Sequence, residues 1–186
     1  MDFTKSLKSS TDFLNKQNIP YMIFGGIATS IHGEPRQTFD IDIKIHLDSD
    51  NQLENFIKQL KKIAEILPEN PIRFIDETSV LPVEIEQIRV DLVFASLPFE
   101  IEAIQNAQIV DYAGIKIKVS TAEDLIIHKV ISERTKDWLD IEGIVQNKKN
   151  RLNWKYVLKH TKELSELLDN SGIYDKLIRI KNEFTN

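Results

Sequence analysis

Short apolar runs alternate with amphipathic segments along the first part of the chain, and this alternation predicts a mixed α/β fold. Apolar runs of strand length are bounded by Gly, Pro, Asn or Asp. The predicted strands are residues 21–24, 39–46, 72–75, 83–85, 88–94, 108–112 and 115–119. The predicted helices between them are residues 3–17, 27–32, 50–66 and 98–106.

The pattern changes to helices alone after residue 119. Ser120 or Thr121, followed by Glu123 or Asp124, resembles a capping box at the start of the first helix. The predicted helices are residues 121–133, 137–147, 153–168 and 173–184. We therefore expect an α/β core at residues 1–119 and a C-terminal helical region at residues 120–186 that packs on this core.

Two acidic residues lie between apolar residues in the strand predicted at residues 39–46. Asp40 and Asp42 are two positions apart, so they project from the same face, about 6–7 Å apart at their Cα atoms. Two carboxylates on one face are costly unless a positive group lies between them. The simplest such group is a divalent metal ion.

Asp91 is likewise an acidic residue between apolar residues, in the strand predicted at residues 88–94. If that strand neighbours the strand with Asp40 and Asp42, three carboxylates converge, and such a set suits Mg²⁺ or Mn²⁺. Two such ions stabilise an in-line phosphoryl displacement, and Asp91 is the candidate to accept a proton. Gly25 and Gly26 permit a tight turn into a helix whose first N–H groups form an anion site.

The composition narrows the class of protein. The 186 residues carry a net charge of −5, which argues against broad binding of a nucleic-acid backbone but leaves a local basic groove open. The chain has no cysteine, so disulfides and thiolate metal sites are excluded. The N-terminus lacks the apolar segment of a signal peptide, and no run reaches the roughly 18–20 apolar residues of a membrane span. We expect a cytoplasmic protein.

Gly25-Gly26, Asp40-Ile41-Asp42 and Asp91 resemble, in order and type, the signature of the nucleotidyltransferase superfamily of the DNA polymerase β type. The chain is similar in particular to its AbiEii-like branch, in which an Arg precedes the aspartate pair and a Lys-led motif opens the helical tail. Arg36 fits the first of these elements. The residues that fit the second are Lys129, Ser132, Arg134, Asp137 and Asp140.

The resemblance implies transfer of a nucleoside monophosphate from an NTP to an acceptor hydroxyl, with release of pyrophosphate and dependence on Mg²⁺ or Mn²⁺. It implies that Asp40, Asp42 and Asp91 bind the metal and that Lys129 joins them in catalysis. The nucleotide-binding residues that it implies are Gly25, Gly26, Arg36, Lys129, Arg134, Asp137 and Asp140. Asp137 and Asp140 share a helix face, from which they orient these cations or meet the metal site.

The sequence leaves several alternatives open. The acceptor is a tRNA end, a small molecule or a protein. Members of the AbiEii-like branch are toxins neutralised by a partner, so a toxin or antitoxin that acts mainly by binding its partner is a second hypothesis. An α/β interaction domain without a ligand is the third. Arg36 has a simpler interpretation as the partner of Glu34, and the glycine pair lacks the hydroxyl that Gly-Ser members offer to a phosphate.

Overall fold

The computed structural model describes residues 2–185, and these residues form a mixed seven-stranded sheet with helices. This confirms the predicted α/β fold with C-terminal helices. The strands are β1 (Tyr21–Ile23), β2 (Asp40–Ile45), β3 (Glu65–Ile66), β4 (Val80–Ile85), β5 (Ile88–Phe94), β6 (Gln108–Tyr112) and β7 (Ile115–Val119). The α-helices are α1 (Phe3–Lys16), α2 (Gly25–His32), α3 (Asp50–Leu60), α4 (Pro71–Thr78), α5 (Pro98–Gln105), α6 (Ala122–Val130), α7 (Thr135–Lys148), α8 (Trp154–Leu167) and α9 (Ser171–Thr185).

The strand order in the sheet is β3-β4-β5-β2-β1-β7-β6. Strand β2 lies between β5, to which it is parallel, and β1, to which it is antiparallel. Strands β4 and β5 form an antiparallel pair, as do β6 and β7. Because β2 and β5 run in the same direction side by side, side chains at matching positions of the two strands lie next to each other on one face.

The chain divides into two compact units. The sheet unit contains the residues up to Ile27 together with Gln37–Val119. The helical unit contains Ala28–Arg36 together with the described residues from Ser120 onward. Helix α2 therefore begins in the sheet unit and ends in the helical unit, and the loop after it belongs to the helical unit.

Alternation along β2 separates its apolar side chains from its charged ones. Ile41, Ile43 and Ile45 are fully buried on one face, and Val90 and Leu92 of β5 are buried beside them. A shift of one residue would turn these apolar side chains to the opposite face, so their burial fixes the register. The same register fixes the other face of β2, which carries the two aspartates.

Two of the predicted elements are wrong. Residues 72–75 belong to helix α4, because the Asn70 side chain caps the helix by accepting from the Arg73 N–H and Pro71 occupies the first turn. Helix α3 ends at Leu60 instead of residue 66, because Glu65 and Ile66 pair with β4. No helix in the described part of the chain is both long enough and apolar enough to cross a membrane.

Candidate active site

Three aspartates converge on one face of the sheet unit. Asp42 of β2 lies directly opposite Asp91 of β5, and Asp40 lies two residues before Asp42 on the same face. Carboxylate oxygens of Asp40, Asp42 and Asp91 all lie within 4.8 Å of one another, and all three side chains are partly buried. We call these residues the aspartate triad.

Two members of the aspartate triad have a hydrogen-bond donor beside them. The Thr38 hydroxyl donates to Asp40 Oδ1 over 2.8 Å. Arg89 Nε donates to both oxygens of Asp91, at 3.0 Å to Oδ1 and 3.2 Å to Oδ2. Sequence reasoning missed Arg89, although a signal was available: Arg89 and Asp91 are two apart in a strand and therefore share a face.

The turn at Gly25 and Gly26 brings the backbone against the aspartate triad. Gly25 has φ +58°, and a Cβ added there would lie 1.8 Å from Asp42 Oδ2. A Cβ on Gly26 would lie 2.4 Å from Thr38 Oγ1. Neither position admits a side chain, so glycine is required at both for steric reasons, and at Gly25 for its backbone conformation too. Helix α2 begins here, so its first N–H groups belong to this turn.

Lys44 lies two residues after Asp42 on the same face of β2. Its ammonium forms a buried ion pair with Glu100 of α5. Glu100 also accepts from the backbone N–H groups of Ser96 and Leu97, at 2.9 Å and 3.0 Å. Burial lowers the pKa of Lys44, and the neighbouring Glu100 carboxylate opposes this shift. The charge of Lys44 is thus balanced by Glu100.

A second group of charges lies within the helical unit, around the buried ammonium of Lys129. Lys129 Nζ donates to Asp137 Oδ1 over 2.6 Å and to Asp140 Oδ2 over 2.7 Å. The three side chains are only 7%, 4% and 8% exposed, respectively. Asp137 and Asp140 lie on one face of α7, as their spacing predicts, and they hold the cation between them.

Two arginines complete this group. Arg134 Nε donates to Asp137 Oδ2 over 2.6 Å, and Arg36 Nη2 donates to Asp140 Oδ2 over 3.2 Å. Arg36 therefore has an ion pair with Asp140, which the interpretation based on Glu34 had not foreseen. We call Arg36, Lys129, Arg134, Asp137 and Asp140 the lysine cluster.

The lysine cluster changes the acidity of Asp137. Burial alone would raise the pKa of this carboxyl. Hydrogen bonds from Lys129, Ser132 and Arg134, together with the charge of Lys129, outweigh burial and lower the pKa of Asp137 to about 2. Asp137 is consequently ionised at neutral pH despite being buried.

The structure sorts the predicted site residues into two groups. Within the sheet unit it brings together Gly25, Gly26, Asp40, Asp42 and Asp91. Within the helical unit it brings together Arg36, Lys129, Arg134, Asp137 and Asp140. The first group offers oxygen ligands and backbone N–H groups, and the second offers three cations balanced in part by two carboxylates.

Solved structures with a similar fold include several nucleotidyltransferase-like proteins. The antibiotic-resistance factor ANT(2'')-Ia aligns with 17% identity over 91% of this chain and 95% of its own, with a TM-score of 0.58. An antigenic nucleotidyltransferase-like protein from Paracoccidioides brasiliensis aligns with 17% identity over 92% of both chains, with a TM-score of 0.53. The lincosamide antibiotic adenylyltransferase LnuA aligns with 17% identity over 75% of this chain and 94% of its own, with a TM-score of 0.50. These likenesses show the fold.

Comparison with curated protein sequences gave no match. The narrower resemblance to the AbiEii-like branch stays a prediction. A family model described as a nucleotidyltransferase of unknown function, DUF6036, matches residues 4–184, which is nearly the whole chain. The chain therefore belongs to this nucleotidyltransferase family.

Proposed function

We propose that this protein transfers a nucleoside monophosphate from an NTP to an acceptor hydroxyl and releases pyrophosphate, in a reaction that depends on Mg²⁺ or Mn²⁺. One observation carries the proposal: three carboxylates from two parallel strands have oxygens within 4.8 Å of one another. Membership in a nucleotidyltransferase family supports it.

The aspartate triad has the chemistry of a site for a hard divalent cation. Its donors are oxygens only, and like charges at this spacing repel one another unless a cation lies between them. Carboxylates that leave other coordination positions open suit Mg²⁺ and Mn²⁺. Asp40, Asp42 and Asp91 would hold the ion, which when bound neutralises charge on the phosphate oxygens.

The chain's own groups have distinct roles in the proposed transfer. Backbone N–H groups at Gly25 and Gly26 bind phosphate oxygens at the start of helix α2. The Asp91 carboxylate accepts the proton of the acceptor hydroxyl, whose oxygen forms a bond to the α-phosphorus. The bond between the α-phosphorus and the bridging oxygen breaks, and pyrophosphate leaves with the electron pair.

The lysine cluster is the proposed second contributor to nucleotide binding. Among the residues that the structure describes, its three cations form ion pairs with two carboxylates, so the cluster itself carries one positive charge in excess. An excess positive charge held by charge-assisted hydrogen bonds favours an anionic group such as a triphosphate. The proposed roles of Arg36, Lys129 and Arg134 in nucleotide binding rest on this excess of positive charge.

The proposed acceptor is a small molecule that bears a hydroxyl. Two structural neighbours act on such molecules: one structure of ANT(2'')-Ia contains adenylyl-2''-tobramycin, and LnuA was solved with lincomycin bound. The net charge of −5 also disfavours a polyanionic acceptor. A tRNA end is the competing acceptor in the test.

Labelled nucleotides test the function directly. The protein is incubated with each α-labelled NTP, with Mg²⁺ or Mn²⁺, and with an aminoglycoside, a lincosamide or total tRNA. We expect metal-dependent transfer of label to a small acceptor, with pyrophosphate released in equal amount. NTP with metal at 100 times the dissociation constant should also stabilise the fold by about 2.7 kcal/mol. Absence of both transfer and stabilisation would leave the ligand-free interaction domain as the better hypothesis.

Replacement of Gly25 by alanine should remove both metal binding and transfer. The added Cβ would lie 1.8 Å from Asp42 Oδ2, and the positive φ is itself unfavourable for alanine. We expect transfer to fall by at least about 100-fold, because displaced metal ligands misplace the reacting groups. Mn²⁺ binding and initial transfer rates measure the effect.

Gly114→Ala is the matched control for this variant. Gly114 also has a positive φ, +81°, but nothing lies within 4 Å of its added Cβ. It should lose about 1 kcal/mol of stability and keep full metal binding. If both variants bind Mn²⁺ equally well, the Gly25 turn has no part in the site.

The hypothesis of a toxin or antitoxin that acts through a partner stays a prediction.

A further inference from the structure

Arg89 is placed against the aspartate triad by the register of the sheet. It lies opposite Asp40 across the β2–β5 pair and two residues before Asp91 on the same strand. Its Nε faces both oxygens of Asp91, at 3.0 Å and 3.2 Å. Arg89 therefore contacts one acid of the triad and lies beside another.

The burial of the two partners differs. The Asp91 side chain is 18% exposed, whereas that of Arg89 is 57% exposed. More than half of the Arg89 side chain is thus exposed to solvent, whereas the Asp91 carboxylate is largely enclosed. One arginine nitrogen that donates to both carboxylate oxygens also binds more weakly than a bidentate pair, in which two nitrogens each donate to one oxygen. This contact is one that a competing cation can displace.

A positive charge at this position has two opposite effects. Without a metal ion it reduces the repulsion among three carboxylates whose oxygens lie within 4.8 Å of one another. With a metal ion it repels the incoming dication and competes for the oxygens of Asp91. The same side chain stabilises the metal-free site and weakens the metal-bound one.

We propose that Arg89 is the resident counter-ion of the aspartate triad: it holds Asp91 in place in the metal-free protein and lowers the affinity of the triad for a divalent cation. The inference rests on the proposed function, because it takes the triad to be the metal site. Arg89 is a positioning residue in this role, since it acts through Asp91.

Substitution of Arg89 separates its charge from its size. In Arg89→Gln we expect the dissociation constant for Mn²⁺, measured by electron paramagnetic resonance, to tighten roughly three- to tenfold. The melting temperature of the metal-free protein should fall by about 2–4 °C, because the triad loses its counter-ion. Arg89→Lys keeps the charge and should bind Mn²⁺ within about twofold of the wild type.

Arg73→Gln is the matched control. Arg73 also donates through Nε to an acid, Glu77, at 2.8 Å in the sheet unit, and it is likewise exposed. Its loss removes the same charge from α4 and should leave Mn²⁺ affinity unchanged. If Arg73→Gln tightens binding as much as Arg89→Gln does, the effect is one of net charge and the inference is wrong.

Other outcomes discriminate equally well. Unchanged or weaker Mn²⁺ binding in Arg89→Gln overturns the inference, as does an unchanged metal-free melting temperature. Equal tightening in Arg89→Lys shows that shape matters and charge does not, which also overturns it. Asp42→Asn tests the underlying site: if that variant binds Mn²⁺ as the wild type does, the triad is not the metal site and the proposed function fails with it.

Discussion

Asp42→Asn should lower kcat/KM for nucleotidyl transfer by about 10³-fold or more, with no loss of stability in the metal-free protein. The amide keeps the size of the side chain beside Gly25 but removes one of three charges that attract the cation. Asp42 lies opposite Asp91 and two residues after Asp40, so the substitution removes the carboxylate that neighbours both other members of the triad. Transfer of label and Mn²⁺ binding measure the two consequences separately.

The stability of this variant distinguishes a lost ligand from a misfolded protein. Removing one of three neighbouring carboxylates relieves repulsion, so the metal-free melting temperature should hold or rise. Asp76→Asn, at an exposed position of α4, is the control and should change neither binding nor transfer. Transfer by Asp42→Asn at the wild-type rate would contradict the proposed chemistry.

The local part of the aspartate triad could be predicted from the sequence, and the pairing of its strands could not. Alternation alone places Asp40 and Asp42 on one face of a strand, because side chains in strands alternate. That β5 is the parallel neighbour of β2 depends on contacts between segments about 50 residues apart in the chain. The sequence therefore predicts that Asp91 lies beside Asp40 and Asp42 only if the two strands are neighbours. The structure shows that they are.

The sequence pattern also fails to predict the contacts of Arg89 and the helix at residues 71–78, for two different reasons. Arg89 is an exposed charged residue in a strand, a type that usually faces solvent, so only the register identifies its neighbours. The segment at residues 72–75, Ile-Arg-Phe-Ile, is too short for periodicity to distinguish strand from helix. The cap at Asn70 and the proline after it were the better signal.

The contacts within the lysine cluster could be predicted from the sequence only in part. The spacing of Asp137 and Asp140 correctly predicts a shared face on α7. Lys129 reaches that face because α6 ends at Val130 and α7 begins only five residues later, which folds the two helices back on each other within the helical unit. Arg36 joins from a loop about 100 residues away in the chain, which no local pattern indicates.

Replacement of Lys129 by methionine should destabilise the protein by about 3–5 kcal/mol at pH 7, because two buried carboxylates lose the ammonium between them. Arg36 and Arg134 still contact Asp140 and Asp137, so we expect the lower end of this range. Urea unfolding measures the change. Lys136→Met, at an exposed position of helix α7, removes an equal charge and should cost less than about 0.5 kcal/mol.

The pH dependence identifies the cause of this loss. In the wild type the pKa of Asp137 lies near 2, below its ordinary 3.8, so its contribution to stability is complete above about pH 4 and is lost as the pH falls toward 2. Without Lys129, its hydrogen bond and its charge no longer oppose burial, so the pKa of Asp137 rises above its wild-type value although Ser132 and Arg134 still donate to it. The carboxyl then becomes neutral at higher pH and no longer requires a cation. The difference in stability between Lys129→Met and wild type should therefore shrink as the pH falls from 7 toward 2.

A triple variant, Lys129→Met with Asp137→Asn and Asp140→Asn, completes this test. It removes both buried carboxylates together with their cation, so it should recover much of the stability that Lys129→Met loses. If the triple variant is no more stable than Lys129→Met, the cost comes from lost packing of the lysine side chain and not from uncompensated charge. Because the readout is unfolding, the result is independent of whether Lys129 also binds the nucleotide.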